Sequence, residues 1–225
     1  MRVCCLASGS SGNSTLLEAD DISLLIDAGT SFRYIKKSLS SIGKDISEID
    51  AVLITHEHYD HIKGIQGLSK KGIPVYINRP TLDSLEIPLQ KVVLFDDASF
   101  YIDDLKITPI PTDHDASFPC GFKIEQDRKN FSIFTDLGKS NQRVKEAVNS
   151  ADCLVLETNH DIDMLLKGPY PYPLKQRILS DKGHLSNIDA GFLVKENASP
   201  KLKNVFLAHI SKNNNTEELA MNTFS

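Results

Sequence analysis

The stretch Thr55-His56-Glu57-His58-Tyr59-Asp60-His61 directly follows a continuous apolar run at residues 51–54, which is typical of a buried strand. In extended backbone, residues i and i+2 face the same way, so His56 and His58 can converge on one ion. Asp60 and His61 fall where the next helix should begin, on a different side that suits a second ion. Imidazole and carboxylate groups bind Zn²⁺, Mn²⁺ or Fe²⁺. The stretch therefore predicts a metal site.

Three further groups that can bind a metal each stand at the C-terminal end of a predicted strand: His114, Asp136 and His209. Functional sites collect at this edge in open α/β sheets. Alone, each of these side chains would as readily hydrogen-bond backbone as bind an ion. Beside the first cluster, ligation is the favoured interpretation.

Strand and helix patterns alternate along the chain with no repeat, low-complexity tract or linker, which predicts one α/β domain. Strands are predicted at residues 1–7, 15–19, 22–26, 51–54, 75–77, 92–95, 99–102, 105–110, 118–125, 131–135, 153–156 and 205–208. Helices are predicted at residues 31–41, 141–149, 173–180, 186–197 and 216–224.

Composition excludes several classes of protein. The chain has 225 residues, 40% of them hydrophobic, and a formal net charge of −5. No apolar run approaches the roughly 20 residues of a membrane span, and the N-terminus lacks the apolar stretch of a signal peptide. Four cysteines, two of them adjacent, form no disulfide framework. We expect a cytoplasmic protein without a membrane partner, and the acidic total argues against nucleic-acid binding by bulk charge.

Together these motifs resemble the metallo-β-lactamase superfamily. Residues 8–14 (S-G-S-S-G-N-S), 157–161 (E-T-N-H-D) and 183–187 (G-H-L-S-N) are similar to its YycJ/WalJ/VicX branch. The resemblance runs from the first strand to about Asn215 and implies a four-layer αββα sandwich as one domain over residues 1–225. Proteins of this branch continue past the position of Ser225, so the resemblance leaves open whether the C-terminal edge of the domain is complete here.

The resemblance implies two divalent metal ions, either Zn²⁺ or Mn²⁺. It assigns His56, His58 and His114 to one ion, Asp60, His61 and His209 to the other, and Asp136 as the bridge. Two such ions lower the pKa of a shared water and supply hydroxide at neutral pH. Two divalent ions, the carboxylates of Asp60 and Asp136, and one hydroxide together give the site a net charge of about +1. Such a charge suits a phosphodiester substrate.

Hydrolysis also needs a proton for the leaving oxygen. Relatives of the nuclease type place a histidine where His184 stands, with an acidic partner at the position of Glu157; such a pair would raise the basicity of the imidazole. Asp60, His184 and Glu157 are thus the candidate catalytic residues. The alternative is that His184 and Ser186 only cap a helix. His160 is equally suited to contact substrate or to support a ligand, and Asp113 and Asp161 have supporting roles at most.

The branch implies a DNA exonuclease that removes nucleotides 5′→3′. Two basic clusters beside the motifs favour a groove for the DNA backbone, although lysines on helices are commonly just solvated: Lys139, Arg143 and Lys145, then Lys175, Arg177 and Lys182. Tyr170 and Tyr172 could stack on bases or rigidify a loop, and the loop is favoured. The backbone N–H groups of residues 8–14 could hold a phosphate, but without a Walker lysine no nucleotide cofactor is expected.

Two other classes remain as alternatives. One is a small-molecule hydrolase on the same fold, acting on a cyclic phosphodiester or a thioester; a lactamase is disfavoured because lactamases usually carry Cys at the position that Asp136 occupies here. The other is a non-enzymatic regulatory protein, which would be expected to have a degenerate site, whereas all seven metal positions are filled. A diiron oxidoreductase is disfavoured because it normally carries an acidic residue at the position of His58.

Overall fold

The computed structural model describes residues 1–224, and the chain divides into two compact units. The first comprises Met1–Ala98 and Ala116–Phe118, and the second Ser99–Asp115 and Pro119–Ser225. Each unit contains one six-stranded mixed sheet together with helices. This confirms the predicted α/β class. In residues 1–224, no helix has the length and apolar character needed to cross a membrane.

The sheet of the first unit follows chain order: β1 Arg2–Ala7, β2 Ser14–Ala19, β3 Ile22–Ile26, β4 Ala51–Leu53, β5 Val75–Asn78 and β6 Val92–Phe95. β1 to β3 pair antiparallel and β3 to β6 pair parallel. As a result β1, β3 and β4 run in the same direction. The loops that follow these three strands therefore emerge at one edge of the sheet.

The helices of the first unit are α1 Phe32–Ser41, α2 Tyr59–Ile62, α3 Ile65–Lys70 and α4 Arg79–Asp83, with a 3₁₀ turn at Ile46–Glu48. α1 begins after Ser31, whose side chain accepts the backbone N–H of Tyr34, and it buries Ile35 and Leu39 four residues apart. This helix was predicted. The other segments span one or two turns, too short for a helical period to register in the sequence.

The sheet of the second unit has the order β12-β11-β10-β9-β8-β7. Its strands are β7 Phe100–Ile102, β8 Leu105–Pro111, β9 Cys120–Gln126, β10 Lys129–Phe134, β11 Cys153–Glu157 and β12 Asn204–Ala208. β7 to β10 pair antiparallel, and β10 to β12 pair parallel. The carboxyl ends of β8, β10, β11 and β12 therefore lie at the same edge, where the predicted polar residues follow.

The helices of the second unit are α5 Gln142–Ser150, α6 Ile162–Lys167, α7 Tyr172–Ile178, α8 Asn187–Asn197 and α9 Glu217–Phe224. All but α6 were predicted to within two residues. α5 packs Val144 and Val148 into a buried apolar cluster that also contains Phe134 and Leu156 of the sheet. This core anchors the strand ends that carry the polar residues of the next section.

Candidate metal centre

The first unit brings together the four polar residues that follow β4. The ring centroids of His56 and His58 are 4.6 Å apart, and those of His56 and His61 are 4.1 Å apart. Nε2 of His61 lies 3.8 Å from Oδ2 of Asp60. His56 and His61 are buried, so imidazoles converge in a site sheltered from water. Three histidines and a carboxylate at this spacing form a donor set suited to transition metals.

Asp27, which the sequence reasoning missed, holds this cluster from behind. It follows β3 with a left-handed φ of 61°. Its Oδ2 accepts from Nδ1 of His61 at 2.8 Å, and Oδ1 accepts the backbone N–H of Thr55 at 2.9 Å. The bond to Asp27 fixes the tautomer of His61 and puts the ring lone pair on Nε2, the nitrogen that faces Asp60. A signal was present in the sequence, since Asp27-Ala28-Gly29 directly follows a buried strand.

The loop at residues 8–14 supports the same cluster. The backbone N–H of Asn13 donates to the carbonyl of Asp60 at 2.8 Å, and Nδ2 of Asn13 lies 3.0 Å from Nε2 of His61. The N–H groups of Gly9 and Gly12 are also used inside the loop, on Oδ1 of Asn13 and the carbonyl of Gly9. These three donors therefore shape the loop around the histidines, and the phosphate cradle at residues 8–14 stays a prediction.

In the second unit, Asp136 directs its two carboxylate oxygens toward two different histidines. Oδ1 is 3.5 Å from Nε2 of His114, and Oδ2 is 3.7 Å from Nε2 of His209. These separations are too long for hydrogen bonds. Ligand atoms about 2.1 Å from one tetrahedral ion lie roughly 3.4 Å apart. The spacing therefore fits a carboxylate that shares one ion with each histidine.

Backbone and side-chain partners orient both histidines for this role. Nδ1 of His114 donates to the carbonyl of Gly183 at 3.1 Å, and Nδ1 of His209 donates to Oε1 of Glu157 at 2.7 Å. Each bond places the ring lone pair on Nε2, toward Asp136. Burial lowers the pKa of His114 and the charge of Asp136 offsets part of this effect, so His114 is neutral, as a ligand must be.

Glu157, at the end of β11, is fully buried and has partners on both oxygens. Oε1 accepts from His184 at 2.8 Å and from His209 at 2.7 Å. Oε2 accepts the backbone N–H groups of Leu137 and Leu185, at 2.7 and 3.3 Å. Burial alone would raise the pKa of Glu157, but the two imidazoles outweigh it and hold the pKa at about 2. Glu157 is therefore an ionised carboxylate that orients the rings of two histidines.

His184 gains basicity from this contact. Burial would lower the pKa of its imidazole, but the charge of Glu157 and their hydrogen bond raise it overall. Nδ1 also lies 3.7 Å from Oδ1 of Asp136. Helix capping is done by Ser186, whose side chain accepts the backbone N–H of Asp189 and donates to its carboxylate. The capping alternative thus holds for Ser186, while His184 faces Asp136.

The structure separates the remaining candidates. Asp161 caps α6 by accepting the backbone N–H of Met164, and its expected supporting role stays a prediction. Asp113 contributes a backbone carbonyl that accepts from Gly138. The imidazole of His160 is buried, and among residues 1–224 neither ring nitrogen has a hydrogen-bond partner. Burial lowers its pKa to about 4. His160 is thus a neutral side chain that holds none of the other histidines.

Several of the basic residues already have partners. Lys139 pairs with Asp181 at 3.1 Å, and Arg177 pairs with Asp115. Lys175 donates to the carbonyl of Leu166 and Arg143 to the carbonyl of Pro109. The hydroxyl of Tyr170 accepts from Asn213 at 3.0 Å, as a rigid loop requires, whereas Tyr172 is exposed. Bonds within the protein therefore compete with any role of these side chains toward DNA.

The chain is similar to characterised proteins over nearly its whole length. The family profile described as "Beta-lactamase superfamily domain" matches residues 23–210. "Exodeoxyribonuclease WalJ" of Streptococcus pneumoniae is 39% identical over 224 residues, 96% of this chain and 83% of the relative. "Exodeoxyribonuclease YycJ" of Bacillus anthracis is 35% identical over 223 residues, 96% of this chain and 84% of that protein.

A solved structure shows the same fold. The metallo-β-lactamase fold protein YhfI from Bacillus subtilis superposes with a TM-score of 0.78 at 20% identity, covering 99% of this chain and 90% of the other. The predicted metallo-β-lactamase type of fold is thereby confirmed. The family profile and the two relatives establish the membership: this chain belongs to the beta-lactamase superfamily of metallohydrolases.

Proposed function

We propose that this protein is a metal-dependent DNA exonuclease that uses two divalent ions, Zn²⁺ or Mn²⁺, and removes nucleotides 5′→3′. The observation that carries the proposal is the identity of 35–39% to exodeoxyribonucleases over 96% of the chain. The polar residues that such chemistry needs are all present. Phosphodiester hydrolysis is the reaction that best fits imidazole and carboxylate donors with a basic histidine beside them.

The proposed ligands follow the family pattern. His56, His58 and His114 would hold one ion, Asp60, His61 and His209 the other, and Asp136 would bridge. The donor chemistry fits, because Asp27 and Glu157 set the tautomers of His61 and His209 with the lone pair on Nε2. Bound divalent ions would lower the pKa of water and neutralise phosphate charge.

His184 is the proposed general acid. Its Nδ1–H donates to Glu157, so the proton that it gives to the leaving oxygen comes from Nε2. The charge of Glu157 raises the pKa of His184, and the protonated form is therefore present near neutral pH. Glu157 acts through His184 and His209 and touches neither the water nor the phosphate.

Polarity and substrate class can be tested with one set of substrates. Duplex DNA labelled at its 5′ or its 3′ end is incubated with the Mn²⁺-loaded protein, beside single-stranded RNA and bis(p-nitrophenyl) phosphate. We expect the 5′ label to be released as mononucleotide while the 3′-labelled strand shortens progressively. Turnover of the small diester without degradation of DNA would replace the exonuclease with a small-molecule diesterase.

The number of ions can be measured without an activity assay. Elemental analysis of protein dialysed against excess Zn²⁺ should give two ions per chain. In Asp136→Ala the metal content should fall, because His114 and His209 each lose the carboxylate with which they would share an ion. Equal metal content in the two proteins would refute Asp136 as the bridging ligand. Tyr101→Ala, an exposed residue of β7, serves as the control.

A further inference from the structure

A pocket of about 430 Å³ lies within the second unit and opens beside His184. Its walls come from the segment after β10, from the loop that contains His184, and from α8. Three of its lining residues matter here: His160, His184 and Phe192. The volume is in the range of pockets that bind small ligands. None of the proposed metal ligands lines this pocket, and His184 alone of the proposed catalytic residues borders it.

His160 supplies an unsatisfied polar pair on the wall of this pocket. It is 1% exposed, and within residues 1–224 neither Nδ1 nor Nε2 has a hydrogen-bond partner. Buried polar groups are almost always satisfied, so such a pair calls for a ligand. The neutral ring offers one donor and one acceptor. Its backbone is fixed, since the carbonyl of His160 accepts from Asn187 at 2.9 Å.

Phe192 supplies a flat apolar surface in the same pocket. This α8 residue is 57% exposed, which is unusual for a phenylalanine in a helix that buries Ala190 and Leu193. An exposed aromatic ring can stack on a base, and every base has a π-face. A stacking surface combined with a donor–acceptor pair matches a nucleobase, which presents a flat face and a hydrogen-bonding edge.

The position of His184 indicates which nucleotide would enter. In 5′→3′ hydrolysis the oxygen of water bonds to phosphorus, the P–O3′ bond breaks, and the proton of His184 ends on O3′. The departing group is then the terminal nucleotide, attached through the atom that His184 protonates. Since the pocket opens beside His184, we propose that it binds the terminal nucleoside of the DNA, with Phe192 stacked on the base and His160 bonded to its edge. This inference rests on the proposed exonuclease.

Removing a single base tests the pocket during catalysis. The substrates are 5′-phosphorylated strands with a tetrahydrofuran abasic residue at either the first or the fifth position. For the wild type we expect KM to rise about tenfold with the first and not with the fifth, by the usual strength of base stacking. Phe192→Ala should show the same rise on normal DNA and no further rise at an abasic end.

The controls separate this effect from general damage. Tyr101→Ala, an exposed aromatic outside the pocket, should behave as the wild type on all three substrates. His160→Asn keeps a donor and an acceptor and should lose less affinity than His160→Ala. Because the exposed Phe192 can be changed without disturbing the core, the test stands even where a variant of the buried His160 fails to fold.

Binding of nucleosides gives a readout that does not depend on activity. Deoxyadenosine and thymidine carry no phosphate, so they do not report on phosphate binding at a metal site. Saturation-transfer NMR with Zn²⁺-loaded protein should detect both with the wild type and neither with Phe192→Ala. Degradation of DNA that is indifferent to an abasic end, with no nucleoside signal, would overturn the pocket and leave the exonuclease. Nucleoside binding without degradation of DNA would refute the exonuclease and retain a nucleoside site.

Discussion

At the scale of single residues, Glu157 couples two imidazoles through one oxygen, and this gives the pH dependence of the reaction. The charge of Glu157 raises the pKa of His184. As the proposed general acid, His184 must be protonated, so the rate should fall as pH rises through that raised pKa. In Glu157→Gln the pKa should be lower, so kcat should begin to fall at a lower pH than in the wild type. The measurement is the pH profile of DNA degradation at saturating Mn²⁺. His184→Ala is the control, because its profile should lack the fall of kcat at high pH. An unchanged midpoint in Glu157→Gln would contradict the proposed role.

His160 makes stability depend on pH in the weakly acidic range. Burial lowers its pKa from 6.5 to about 4, so the unfolded chain binds a proton that the folded chain does not. Stability is therefore lost as pH falls from 6.5 toward 4, by about 2 kcal/mol between pH 7 and 4.5. Urea unfolding of the metal-free protein should show this loss, and His160→Asn should lose correspondingly less. Parallel losses in the two proteins would rule out a neutral buried His160.

At the scale of elements, the histidine loop after β4 depends on a close approach to Gly29. A Cβ added at Gly29 would lie 1.6 Å from the carbonyl oxygen of Asp60 and 2.5 Å from the backbone N of Asn13. We expect Gly29→Ala to lower the free energy of unfolding by at least about 2 kcal/mol. Gly191→Ala in α8 is the matched control, because its nearest neighbour is 3.5 Å away; a helical site of this kind gains about 0.5 kcal/mol. Urea denaturation measures both, and equal effects would contradict the packing described here.

Elements differ in how far the sequence predicts them. The strands and the longer helices of residues 1–224 follow from apolar runs and helical spacing, and Ser31, Asn141 and Ser186 cap helices where polar residues precede the pattern. α3, α4 and α6 escaped prediction because five or six residues hold too few buried positions to reveal a period, whereas α2 begins at Tyr59, next to the helix start predicted at Asp60 and His61.

Some site residues are recognisable from the sequence alone, whereas the roles of others depend on contacts that only the fold creates. The histidines and Asp136 stand out in the sequence because their types and spacing are uncommon. Asp27 did not, because its role depends on a bond to His61, 34 residues along the chain. The contact of Glu157 with His209, 52 residues away, also depends on how β11 and β12 pair. The internal bonds of the loop at residues 8–14 depend likewise on a distant partner, because the N–H of Asn13 donates to the carbonyl of Asp60.

At the scale of the whole molecule, bound metal should stabilise the fold. Ions that bind the folded chain alone add about 2.7 kcal/mol at a concentration of 100 Kd. For a protein of this size that raises Tm by about 5–10 °C. Calorimetry before and after dialysis against EDTA should show this difference, and Zn²⁺ should restore it. An identical Tm in both states would argue that the donor set binds no ion.

The central claim is that this chain hydrolyses DNA with metal ligands and a general acid in separate roles. The most direct measurement is digestion of 5′-phosphorylated duplex DNA with Mn²⁺ by the wild type, Asp60→Ala and His184→Ala. We expect progressive loss of nucleotides from one end in the wild type and none in Asp60→Ala. His184→Ala should retain metal and be slowed by about 10²–10⁴-fold. Failure of the metal-loaded wild type to cleave any polynucleotide would contradict the account.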